Sequence, residues 1–358
     1  RYGGVNMYNM TIEQSVMGYA IRYNVLKNLV SECFKNTIYA NSNKVNIFID
    51  ITKMIKSINS NDLTSICNDK LALSANLLNL CAHYKSFFNR GYGVDASVYL
   101  IRTNGVMNLN KLNIPKYSPL DNNEKMVFSG DISKNLDLIS IIVPYLHNID
   151  YIVTNEEISN VLFDIDENYG DKNTPNILIT KDIYTSTIAS TGNFFVFRPR
   201  KNNGDDTSYS ITSKNIFDAY QRNRKVKPVD CSGINPAFIG FIMSYTRVPE
   251  RNVTNVYNIS TIINALKKAL ADGVILNQYV FDPMFTAETL NKYLARKADP
   301  YTVSLYYKAL DMYQVYNAYK YSRTKYKGMV NLSDINKINE ISEKYYNITK
   351  VDFPTLLV

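Results

Sequence analysis

Acidic side chains at the carboxyl ends of short apolar strands are the residues of this sequence best placed to do chemistry. Asp50 closes the run VNIFID, Glu156 and Glu157 follow the apolar segment Tyr151 to Val153, and Asp182 stands just beyond Ile177 to Ile179. In open parallel α/β sheets this end of the strands borders the ligand crevice. Carboxylates are hard oxygen donors, the kind that magnesium takes. Zinc chemistry is disfavoured: there are two histidines, His83 and His147, and the four cysteines (Cys33, Cys67, Cys81, Cys231) form no CxxC pair. The cysteines read as buried thiols of a reducing compartment.

A second group of residues could meet phosphate. Arg222, Arg224, Lys225 and Lys227 form the densest short basic cluster, which a solvated linker explains as well as phosphate contact does. Further on, Lys292 to Lys327 holds eight basic and two acidic residues, among them Lys320, Arg323, Lys325 and Lys327, interleaved with tyrosines. Such a surface can stack bases and neutralise phosphate. It can equally pack against a protein partner, because tyrosine suits wet interfaces.

The elements that must position these groups follow from periodicity. Residues 10 to 39 read as a helix, with Ile12, Val16, Ala20, Tyr23, Leu26 and Val30 on one face. Val45 to Ile49 reads as a central strand, and Met54, Ile55 and Ile58 continue as a helix. A long helix over Leu63 to Asn89 precedes a strand over Ala96 to Ile101. Residues 137 to 199 then read as helix, strand, helix, strand, helix, strand, with strands at Tyr151 to Val153, Ile177 to Ile179 and Phe194 to Phe197. That rhythm predicts a mainly parallel central sheet flanked by helices. Thr212 or Ser213 is expected to cap a helix beginning near Ile216. The segment beyond Met284 is helical in pattern apart from Pro300, and the apolar tail DFPTLLV is expected to dock.

Within this order, Glu157 to Leu162 (E-I-S-N-V-L) and Ile179 to Tyr184 (I-T-K-D-I-Y) resemble two motifs of the 5′-to-3′ exonuclease and flap endonuclease family of PIN-like nucleases. Those motifs read E-A-D-D-V-I and T-G-D-K-D-L-Y in the family. The resemblance spans roughly residues 44 to 273 and implies a PIN-like α/β core over 44–218. It also implies a degenerate helix-hairpin-helix region over 219–283, preceded by a helical segment (1–43) and followed by a basic, tyrosine-rich helical extension (284–358). By position, Asp50, Glu157 and Asp182 match family metal-binding acids, and they would be the catalytic and metal-binding residues of an active enzyme using Mg²⁺ or Mn²⁺. Other acids of the pattern are replaced by Ser159, Asn160, Thr180, Ser244 and Arg247, and hairpin glycines by Asn255, Asn258 and Ser260.

Two-metal phosphodiester hydrolysis needs several carboxylates converging on ions about 3.5–4 Å apart. Three acids fall short of that cluster, so the resemblance implies a catalytically inactive protein with no cofactor, repurposed as a structural or scaffold component. The alternatives are an active metal-dependent 5′ nuclease and a non-catalytic DNA-binding protein. A formal charge of +8 permits nucleic acid without demanding it. Frequent Asn, Lys, Tyr and Ile with no Trp point to an AT-rich source such as a phage or large virus. Other viral or phage structural proteins are therefore the expected partners, and a viral particle or the host cytoplasm the expected location. No apolar run reaches the length of a membrane span.

Overall fold

The computed structural model describes residues 16–20, 27, 30, 31, 35, 40–56, 70–103, 136, 138–154, 158–169, 171–199, 209–246, 257–278, 280, 282–310, 321–323 and 334–350. Seven strands form one sheet: β1 (Lys44–Asp50), β2 (Asp95–Thr103), β3 (Ile149–Thr154), β4 (Asn176–Ile179), β5 (Phe194–Arg198), β6 (Tyr209–Ile211) and β7 (Tyr321–Arg323). Their order is β6-β5-β4-β1-β2-β3-β7. The pairs β1–β2, β1–β4, β2–β3 and β4–β5 are parallel, and the three-residue edge strands β6 and β7 run antiparallel. A mostly parallel sheet flanked by helices is thus the architecture.

Both faces of the sheet are covered, which is why its strands read as nearly continuous apolar runs. Val45, Ile47 and Ile49 of β1 enter one core, together with Val98 and Leu100 of β2 and Ile177 and Ile179 of β4. That core lies under α1 (Ile51–Lys56) and α2 (Lys70–Tyr92). Phe48, Ile101, Ile152 and Leu178, one residue out of phase, enter the opposite core. There they meet α3 (Ile158–Tyr169), α4 (Ile216–Asn223), α5 (Ile239–Tyr245), α6 (Ile259–Ala271), α7 (Pro283–Leu290) and α8 (Pro300–Leu310). The final helix α9 (Ile335–Thr349) returns to the first core and packs on α2 through Ile341 and Tyr345. α2 stops at Gly93, whose φ of 63° is easily reached without a side chain, and the Gly93 N–H closes on the Asn89 carbonyl at 2.9 Å.

Three local expectations are corrected. Between β4 and β5 the chain forms a 3₁₀ helix over Thr185–Thr191, where an α-helix was expected. Its serine and threonine hydroxyls bond nearby carbonyls, as Ser186 Oγ does to Asp182 O at 2.6 Å and Thr187 Oγ1 to Tyr184 O at 2.5 Å, and such bonds compete with α-helical pairing. Neither Thr212 nor Ser213 caps α4; Asn215 occupies that position, and its Oδ1 accepts the Thr212 backbone N–H at 2.8 Å. Residues 321–323, expected to be helical, pair with β3 as β7 because the edge of β3 is open to them. The helix predicted over 10–39 is described only in fragments, and the tail beyond Lys350 lies outside the described residues.

Candidate functional site

The strand order reverses direction at β1 and β4. From β1 the chain proceeds outward to β2 and β3 on one side, and β4 leads to β5 on the other. The carboxyl ends of β1 and β4 therefore flank a topological switch point, where open α/β sheets place their ligand crevice. Asp50 is the last residue of β1, and Asp182 follows β4 by three residues. The structure brings these two predicted acids to one place. Glu157 lies outside the described residues, and among the described residues no group of three or more His, Cys, Asp or Glu side chains is placed to hold a metal ion.

Both acids are buried, Asp50 to 1% exposure and Asp182 to 5%, and both are engaged by hydrogen bonds. The Thr180 hydroxyl donates to Asp50 Oδ2 at 2.8 Å and accepts the Asp182 backbone N–H at 3.1 Å. Asp182 in turn accepts from the Tyr184 N–H at 3.3 Å and from Thr185 Oγ1 at 2.9 Å. Asp182 thus ties down the entry of the 3₁₀ helix, the usual work of a short acid at a helix start. Thr180 stands where the family pattern has an acid, and it binds its neighbouring carboxylate where an acid would repel it.

Tyr19, from the N-terminal segment, closes the crevice. Its ring is fully buried, and the Lys181 ammonium sits 4.8 Å from the ring centroid. The Tyr84 hydroxyl donates to the Tyr19 carbonyl and fixes the backbone. Burial raises the Tyr19 phenol well above its ordinary pKa, and the negative charges of Asp50 and Asp182 raise it further. Arg198 and a weak polar contact from the Lys181 backbone N–H work the other way, but the hydroxyl makes no well-formed hydrogen bond. Arg198 completes the rim: its guanidinium donates to the Lys181 carbonyl at 2.6 Å and to Asn223 Oδ1 at 3.1 Å, linking β5 to the end of α4.

The basic cluster lies just beyond that link. Arg222, Lys225 and Lys227 are exposed and Arg224 is partly exposed. Lys225 takes a φ of 52° as the chain leaves α4. Cations at a helix carboxyl end also complement its dipole, so part of this clustering is structural. In the second predicted group, Arg323 contributes its backbone to β7, and Lys320, Lys325 and Lys327 lie outside the described residues.

Sequence reasoning found Asp50 and Asp182 but missed Tyr19, Lys181 and Arg198. Thr180 was noticed only as a lost acid. The Ile179–Tyr184 motif could have drawn attention to the Thr180 hydroxyl, whereas nothing local to Tyr19 connects it with residues 50 and 182. A scan against protein-family models finds no match for this chain, and no curated protein matches it either.

Proposed function

We propose that this chain is a non-catalytic protein with a structural or scaffold role, built on a nuclease-like α/β frame. The observation that carries this reading is the occupied crevice, in which the Tyr19 ring, the Thr180 hydroxyl and the Asp50–Asp182 pair pack together with almost no solvent exposure. Hydrolysis by two divalent ions needs an open carboxylate cluster that admits water and a phosphodiester. This donor set does not fit that need, because Asp182 is committed to the turn that follows it and Asp50 to Thr180. A place among the structural proteins of a phage or viral particle is in keeping with the AT-rich composition.

The test is a cleavage assay. Purified protein with Mg²⁺ or Mn²⁺ and single-stranded or 5′-flap DNA is expected to give no product above that of Asp182→Ala. Cleavage that depends on Asp182 would overturn the reading.

A second reading, non-catalytic binding of nucleic acid, is favoured by one observation: Lys225 and Lys227 are exposed and form no ion pair with the described acids, while nearby Asp230 is paired with Lys267 at 2.9 Å. On that reading a random-sequence duplex binds at low salt. Replacing Arg222, Arg224, Lys225 and Lys227 together with alanine then weakens it by at least tenfold, because several phosphate contacts are lost at once. Unchanged affinity in fluorescence anisotropy would remove the cluster from consideration.

A further inference from the structure

We infer that the chain self-associates as a two-fold dimer through the apolar patch formed by the loop after α6 and the start of α7. Large apolar side chains are seldom exposed together without a use. Of the eight large hydrophobic side chains exposed among the described residues, four fall within residues 274–285: Val274 at 42%, Leu276 at 72%, Met284 at 43% and Phe285 at 61%. They surround a cavity of about 290 Å³ floored by Phe238 and Val280.

The patch is held in place. Asn277 Nδ2 donates to the Gly233 carbonyl at 2.7 Å, and Asn277 Oδ1 accepts the Asn235 N–H at 2.8 Å. The Asp282 carboxylate accepts the Met284 and Phe285 N–H groups, both at 3.0 Å, so the start of α7 is capped. Leu276 and Phe285 are thereby presented without a large ordering cost, which favours association.

Two features select a second copy as the occupant. The protruding side chains and the hollow lie side by side, because Leu276 and Phe285 also line the cavity. A two-fold axis beside them lets each copy seat its protruding side chains against the other's hollow, the self-complementary arrangement of an isologous contact. The charge around the patch also permits like to meet like. Residues 267–292 carry Lys267, Lys268 and Lys292 against Asp272, Asp282 and Glu288, whereas the whole chain has a net charge of +8. A neutral, mixed rim can pair with its own copy, and it gives a polyanion little to hold.

The four side chains expose on the order of 400 Å² of apolar surface, about half of the ~800 Å² per partner in a standard interface. The cavity walls and charged rim supply the remainder. Sedimentation velocity on the purified chain from about 1 to 100 µM is expected to show a monomer–dimer equilibrium with a Kd on the order of micromolar. Leu276→Asp with Phe285→Asp is expected to leave only monomer, with the thermal midpoint close to that of the parent because both side chains are exposed. Leu276→Ser alone, expected to weaken the dimer at least tenfold, serves if the double variant does not fold. A parent that stays monomeric throughout, or a dimer that either folded variant leaves as strong, would overturn the inference. Capture of a different protein by monomeric parent would show a foreign partner and would overturn it as well. These outcomes are independent of whether the chain cuts DNA.

Discussion

Asp182→Ala is expected to lower the unfolding free energy by about 2–3 kcal/mol, whereas Asp182→Asn is expected to cost clearly less. The reason is the local geometry. Alanine removes the acceptor for the Tyr184 N–H and the Thr185 hydroxyl while both stay buried, and an abandoned buried donor costs about 1–3 kcal/mol. Asparagine keeps one carbonyl acceptor of the same reach, so it preserves one of these bonds and loses the charge-assisted part of the other. Chemical denaturation at neutral pH measures both changes.

The opposite sign is the informative alternative. In an open metal cluster, acids repel one another in the absence of ions, and removing one relieves that repulsion. Stabilisation by Asp182→Ala would therefore mark Asp182 as a member of a strained acid cluster, and the structural reading of the crevice would fail. Stability and cleavage thus interrogate the same carboxylate by independent routes.

The sheet was legible in the sequence because its strands are short, apolar and covered on both faces. Ile177 to Ile179 and Phe194 to Phe197 sit within observed strands to within a residue, as do Val45 to Ile49 and Ala96 to Ile101. Other features depend on partners distant in sequence. Tyr321 to Arg323 became a strand only because β3, roughly 170 residues earlier, offers an edge. No local periodicity encodes that pairing. The helix–3₁₀ difference at Thr185–Thr191 is local, and the run TSTIAST carries its warning in hydroxyls that bond their own backbone.

The site divides along the same line. Asp50 and Asp182 could be placed together because each ends or follows a parallel strand, and strand order does the rest. Their partners could not. Arg198 reads as the tail of a strand, yet its guanidinium joins the Lys181 carbonyl to Asn223 of α4. Tyr19 lies in a segment whose apolar face suggested only packing, and its contact with the acid pair comes from tertiary folding alone.

Tyr19 also makes the crevice sensitive to alkali. In the folded chain its phenol is held neutral by burial and by the Asp50 and Asp182 charges, so its pKa lies well above the ordinary value of 10.0. An unfolded chain releases that proton near pH 10 and the folded chain does not. Above pH 10 the unfolded state then binds one proton fewer, and stability falls with rising pH by about 1.4 kcal/mol per unit for this residue until its folded pKa is reached. Below pH 10 the contribution is fully present and flat.

Tyr245 and Tyr345 are likewise raised by burial, so the whole protein should lose stability in alkali with more than one proton involved. Tyr19→Phe isolates one of them. Phenylalanine keeps the buried ring and deletes a hydroxyl that makes no well-formed hydrogen bond, so stability at pH 7 should change by less than about 1 kcal/mol. Between pH 10 and the onset of global unfolding, the variant's stability curve should be shallower than the parent's by about one proton. Parallel curves would mean that Tyr19 ionises freely in the folded chain. The ring would then stand in water, and the crevice that it closes would be open to ligand.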